Sequence, residues 1–180
     1  MLVFLRLVGI LNTAVWLGAV VAHVCVSIPV FVSGPMLRLL PISHAGAAEL
    51  VFSGRFYQFE YWCAGIAVGH LLADWLYTGK PLRRWSSYVL GVIAGTVLLS
   101  GTLLLPKAQQ LHLEAHGMRS TPQQRQRAAG AFKSWEVVIH SANVITLIGI
   151  TAYFWQISAG GTGARFGGGS KFRGLTKSGS

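Results

Sequence analysis

The sequence predicts an all-α integral membrane protein: a bundle of four transmembrane helices, the third and fourth continuing past the bilayer as an extended hairpin. Three observations predict it. Of the 180 residues, 52% are hydrophobic and only 11% charged, against roughly 25% charged in an ordinary soluble domain. Four stretches reach the roughly 20 apolar residues that a bilayer crossing needs. The segments between them are short and polar, leaving no room for a separate catalytic domain. So low a charge content cannot cover a water-facing surface, and so apolar a chain does not stay disordered.

The first span is Leu7 to Val32, 26 residues without a formal charge. A secretory signal has an apolar run of about 7–15 residues followed by small residues at its cleavage site. This run is much longer and is followed by bulky residues, so it is expected to be a true span. The second span is Phe56 to Thr78, and Thr78-Gly79-Lys80-Pro81 ends it, since Gly relaxes the backbone and Pro cannot continue a helix. The third, Ser86 to Leu105, has no charge, and Pro106 to His116 has the composition to extend it. The fourth, Trp135 to Ile157, is preceded by Thr121-Pro122-Gln123-Gln124. Those residues spell a helix start: Thr at the cap, Pro at the first position, Gln three residues after the cap. The third and fourth helices are therefore expected to project some 15–20 Å beyond the hydrocarbon, at 1.5 Å per residue.

The transmembrane domain is expected over residues 1–158 and a Gly-rich basic tail over 159–180, with eight glycines and four bases from Gly160 onward. Such a tail cannot build a core and suits an anionic lipid surface. Its Arg, Gly and Phe are also found in binders of single-stranded RNA. The chain has no folded nucleic-acid module, and no nucleic-acid partner is expected. The 15 basic residues behind the net charge of +10 divide almost evenly across the membrane, eight to seven. Arg6, Lys80, Arg83, Arg84 and the four bases of the tail fall on one side. Arg38, Arg55, Lys107, Arg119, Arg125, Arg127 and Lys133 fall on the other. Both termini are assigned to the cytoplasm.

Gly65 and Gly69 on the second helix, and Gly91 and Gly95 on the third, form two GxxxG strips. Small residues four apart let helix backbones approach closely. Packing between these two helices is the expected use, with a dimer interface as the competing one. Asn12 and Asn143 are expected to hydrogen-bond between helices. His70 and Asp74, four apart on one helix face, are expected to pair.

Ionisable groups inside a membrane are functional candidates because burying them is costly. His23 and His140 lie about 14 and 8 Å below the same membrane boundary, at 1.5 Å per residue. At matched depth on different helices they are the best pair for a haem b, and a quinone would use similar groups. The plainer alternative makes each histidine a buried polar group bonded to a neighbouring helix. Cys25 and Cys63 also share a depth, and with His23 and His140 they would suit a soft metal such as Cu(I). His112 and His116 share a helix face at a spacing that metal sites use. No nucleophile elbow, P-loop, dinucleotide fingerprint or cysteine knuckle is present, and five acids leave little for a paired-carboxylate hydrolase.

The short motifs form a pattern. Trp16-Leu17-Gly18 is followed by His23 and then Pro29-Val30-Phe31. Ala45-Gly46, Phe52 and Arg55-Phe56-Tyr57 come next, then Leu104-Leu105-Pro106, Phe132, His140-Ser141 and Asn143. Over residues of about 5–157 this resembles the family of small bacterial four-helix membrane proteins grouped with transmembrane protein 205. The family usually has another Arg just after the third span's proline, where this chain has Lys107 and then His112. The resemblance implies a multi-pass protein of the bacterial inner membrane with no established reaction. A eukaryotic relative is associated with platinum-drug resistance, and copper-resistance membrane proteins are distantly similar, so metal or metallodrug handling is implied as an alternative. The function expected overall is that of a non-catalytic accessory or scaffold subunit of a larger membrane assembly, with the lipid bilayer and membrane-protein subunits as partners. A haem b or quinone electron carrier is the remaining alternative.

Overall fold

The computed structural model describes residues 2–79, 84–117 and 120–159. Among them the regular secondary structure is all helical: α1 (Leu2–Ala22), α2 (Ile28–Phe31), α3 (Gly34–Leu39), α4 (Ile42–Thr78), α5 (Arg84–Leu99), α6 (Leu105–His116) and α7 (Pro122–Ala159). Three helical segments are long and apolar enough to cross a membrane, namely Phe4–Phe31, Trp85–His116 and Pro122–Ala159. The stretch expected as the second span lies on α4. Gln58, Glu60, His70 and Asp74 dilute its hydropathy, and it is not among the three.

Two single π-helical turns, His23–Ser27 and Ser100–Leu104, join α1 to α2 and α5 to α6. Each is followed within two residues by a proline, Pro29 or Pro106. A proline ring collides with the carbonyl four residues earlier and has no N–H to give it. Widening the turn relieves the collision: the N–H of Ile28 bonds His23 O and that of Leu105 bonds Ser100 O, each five residues back. The rods therefore run on through their prolines.

α1 packs against α4 and α7, α5 packs against the same two, and α6 continues the contact with both. The inward residues recur at alternating steps of three and four. On α1 they are Thr13, Trp16, Val20 and, in the π turn that follows, His23; on α4, Ser53, Tyr57, Glu60, Ala64 and Ala67; on α5, Leu90, Ile93 and Val97; on α7, Ile139, Asn143, Thr146, Ile150 and Tyr153. That rhythm keeps one stripe of each rod facing its neighbours. The opposite faces carry Leu7, Leu11, Val15, Trp62, Ile66, Leu98, Ile145 and Ile148, all exposed. Such an apolar exterior suits lipid, not water. At one end Trp75, Tyr77, Trp85, Tyr88 and Trp155 are exposed together, as aromatic side chains are at a membrane boundary. Ser86 Oγ donates to Gln156 Oε1 at 2.8 Å and fixes the α5 start beside the α7 end.

The ends follow the expected chemistry. Gly79 caps α4 in the left-handed region, with φ 62°, and its N–H bonds Trp75 O. The Lys80-Pro81 that completes the stop signal lies outside the described residues. At the start of α7, Thr121 Oγ1 accepts the Gln124 N–H at 3.3 Å, and Gln124 Oε1 accepts the Thr121 N–H at 2.9 Å. That is the reciprocal capping pair. The tail beyond Ala159 and the bases Lys80, Arg83 and Arg119 also lie outside the described residues.

Three expectations need correction. α4 begins at Ile42, well before the apolar stretch, so α6 packs between α4 and α7 at this end instead of forming a two-helix hairpin with α7 alone. The GxxxG glycines do not pack α4 on α5: a Cβ built on Gly65, Gly69, Gly91 or Gly95 meets nothing within 4 Å. Other glycines take that role by receiving a large side chain from a neighbouring helix. A Cβ on Gly149 would lie 2.7 Å from Ile93 Cγ1, one on Gly46 2.9 Å from His112 Cε1, and one on Gly9 2.5 Å from His70 Nε2. Gly101 receives the Tyr61 hydroxyl in the same way. Finally, Asp74 is exposed, whereas half-buried His70 faces α1, and its Nδ1 has no hydrogen-bond partner.

Candidate functional site

The inward stripes of α1, α4 and α7 bring polar side chains into one column. Near its middle Glu60 is 1% exposed and accepts a hydrogen bond from Trp16 Nε1 at 3.3 Å. One turn along, Tyr57 O–H donates to Asn143 Oδ1 at 3.0 Å, and Ser100 also hydrogen-bonds Tyr57. Asn12 Nδ2 donates to the Cys63 carbonyl at 3.0 Å, tying α1 to α4. Each of these bonds links two rods, and each buried polar group would be costly without its partner.

His23 and His140 are brought near enough for their charges to interact. His23 is 2% exposed, its ring stacked on Phe56 at 3.9 Å and 19° and on Phe52 at 5.7 Å. The Nδ1 atoms of both histidines are buried and have no hydrogen-bond partner. A cavity of about 20 Å³ adjoins His140, walled by Glu49, Ser53, Phe132 and Glu136 among others. It has room for one water molecule and is far too small for a porphyrin or a quinone ring. With protein enclosing His23, the site does not fit the haem of that alternative reading.

Glu49 on α4 and Glu136 on α7 both line this cavity. Burial, reinforced by the Glu136 carboxyl, pushes Glu49 up to about 7 from its ordinary 4.5. Lys133, three residues before Glu136 on α7, brings a positive charge near its carboxyl. The arrangement can hold a proton at neutral pH. A pair of ordinary surface carboxylates cannot.

Among the described residues, no three His, Cys, Asp or Glu side chains are placed to hold a metal ion. Cys25 is exposed while Cys63 is buried, so their matched depth does not put them in one environment. The rings of His112 and His116 do lie 4.5 Å apart, yet both are engaged elsewhere. His112 Nε2 bonds the Ser43 carbonyl at 3.0 Å and His116 Nδ1 bonds the His112 carbonyl at 3.1 Å. His112 also lies against Phe132 and fills the notch at Gly46, so it clamps α6 between α4 and α7.

The sequence reading missed Glu49, Tyr57 and Glu60 as inward-facing groups. A signal was present: Glu49, Ser53, Tyr57 and Glu60 are spaced four, four and three apart, the repeat of one helix face. It was hidden because the segment before Phe56 is too polar to stand out as a span. No known protein family, curated protein or solved structure matches the chain.

Proposed function

We propose that the protein is a four-span, non-catalytic subunit that packs against the helices of a larger assembly in the bacterial inner membrane, with both termini cytoplasmic. The carrying observation is the outward position of the two GxxxG strips. Gly65 and Gly69 lie beside exposed Trp62 and Ile66, and among the described residues a Cβ built on any of the four glycines meets nothing within 4 Å. Close packing on such strips is how membrane helices associate. The inward polar groups are meanwhile largely occupied in joining helices to one another. In this reading α4 crosses the membrane with the other three rods, since it packs against both α1 and α5 and turns Glu60 inward. The resemblance to the transmembrane protein 205 group agrees with that architecture.

The test is purification from native membranes in mild detergent, followed by native mass measurement. A complex larger than the single chain is expected, and Gly65→Leu with Gly69→Leu should release the partner. Thermal unfolding of the variant should stay within about 0.5 kcal/mol of the parent, as for a surface change. A wild-type chain that runs alone removes this reading.

A further inference from the structure

We propose that Glu49, Glu136 and His140 form a proton-binding site at the projecting end of the bundle, taking a proton from the adjoining water and exchanging it between a carboxyl oxygen and His140. The geometry has three parts. Two carboxyl side chains from different helices line one cavity that has room for a single water. His140 lines the same cavity, and its buried Nδ1 has no partner. Behind it lies His23, 2% exposed, with a second unpartnered Nδ1 near enough for the two histidine charges to interact.

Two carboxylates side by side repel one another, and a shared proton removes the repulsion. Protonating one gives a carboxyl O–H and a carboxylate, which a bridging water or Ser53 can join by hydrogen bonds. In the exchange step the carboxyl O–H bond breaks and an N–H bond forms at the imidazole lone pair. The products are a carboxylate and an imidazolium, so charge is conserved and no other reactant is needed. Glu49, Glu136 and His140 are each only half-buried, which keeps the outer side of the site within reach of water.

The groups facing the pair are few. From α7 they are His140 and, three residues before Glu136, Lys133. From α6 the cavity wall is Leu105 and Ala108, while His112 touches Phe132 and is not itself in the wall. His23, in the π turn after α1, interacts with His140. Among the described residues Lys133 is the cation set against the carboxyls here, and a proton is the ligand this environment favours.

Infrared difference spectroscopy of the full chain in lipid nanodiscs, titrated with acid, tests the site. A carboxylic-acid band that persists to about pH 7 is expected, and Glu49→Gln should diminish it. Glu136→Gln should shift its midpoint downward by taking away the neighbouring charge. Because Glu60 is also a buried acid and contributes a carboxyl band of its own, the titration is repeated in a Glu60→Gln background, where a titrating band should remain and Glu49→Gln should remove it. In wild-type protein with 15N-labelled histidine, the His140 ring shifts should move with the midpoint of that band. This measurement stands even if a variant fails to fold. A Glu49→Gln protein with an unchanged band, or His140 shifts indifferent to the carboxyl titration, overturns the proposal. Neither result bears on whether the chain has partner subunits.

Discussion

The hydroxyl of Tyr57 on α4 donates a 3.0 Å hydrogen bond to the side-chain carbonyl of Asn143 on α7, 86 positions away in sequence. Both residues are at most 3% exposed, so neither can turn to water if the other is removed. Such a bond fixes the rotation of two rods about their own axes, which apolar packing alone leaves loosely determined.

Replacing Tyr57 by Phe is expected to cost about 1–3 kcal/mol, because it leaves a buried acceptor unpaired. Asn143→Ala together with Tyr57→Phe should cost less than the sum of the two. A double-mutant cycle by denaturation in detergent should give a coupling of about 0.6–1.7 kcal/mol. Strict additivity would show that the two side chains do not meet.

Gly149→Ala forces a methyl to 2.7 Å from Ile93 Cγ1, in a core where Ile93 is stiff and buried. A loss of about 1–3 kcal/mol is expected, as for overpacking elsewhere. Ile93→Ala in the same chain should recover part of the loss by making space. Gly65→Ala, where nothing lies within 4 Å, should unfold at or slightly above the parent temperature. Equal effects at the two glycines would contradict this division between inward and outward positions.

Thr121→Ala removes the side-chain oxygen that accepts the Gln124 N–H. A cost of about 1 kcal/mol is expected, as at other helix caps. Hydrogen exchange should quicken over the first turn of α7 while the amides near Asn143 stay protected. Uniform quickening along the helix would indicate that the cap contributes more than a local closure.

Glu49 is held up at about 7 by burial and then by Glu136, while its unfolded value is near 4.5. The folded chain keeps this proton where the unfolded chain releases it, so stability falls as pH rises between these two values and levels off above about 7. The thermal midpoint of wild-type protein should decline across that window, and Glu49→Gln should flatten the decline. An unchanged pH slope in the variant would show that Glu49 is not the group responsible.

Much of the fold was legible because its signals are local. The capping pair at Thr121 and Gln124, the stop at Gly79 and the apolar lengths of α1, α5 and α7 each depend on residues close together in sequence. That His23 and His140 come near one another was also legible, since helical rise converts residue number into distance. The use of the glycines was not. Whether a small residue receives a neighbour depends on which face is turned inward, and Gly65 and Gly149 look alike in sequence. The long start of α4 was hidden for a related reason: with its inward stripe built from Glu49, Ser53 and Tyr57, the segment resembles a polar connection. A polar interior reverses the usual contrast between the two faces of a helix.

The widened turn at Ser100–Leu104 also governs how this chain could change length. A π turn holds one residue more than the α-helix on either side, so it amounts to an insertion at a fixed place. Deleting one residue there would return the turn to regular winding while the residues after it keep their facing, because the widened turn already absorbs the extra residue. A deletion within the regular part of α5 has no such outlet and would rotate everything after it by about 100°. Leu105, Ala108, Leu111 and His112, the buried face of α6, would then swing off α4 and α7 together, and His112 would lose both the Ser43 carbonyl and the Gly46 notch. The widened turn is therefore the place in this rod where a one-residue change of length leaves the phase of α6 intact.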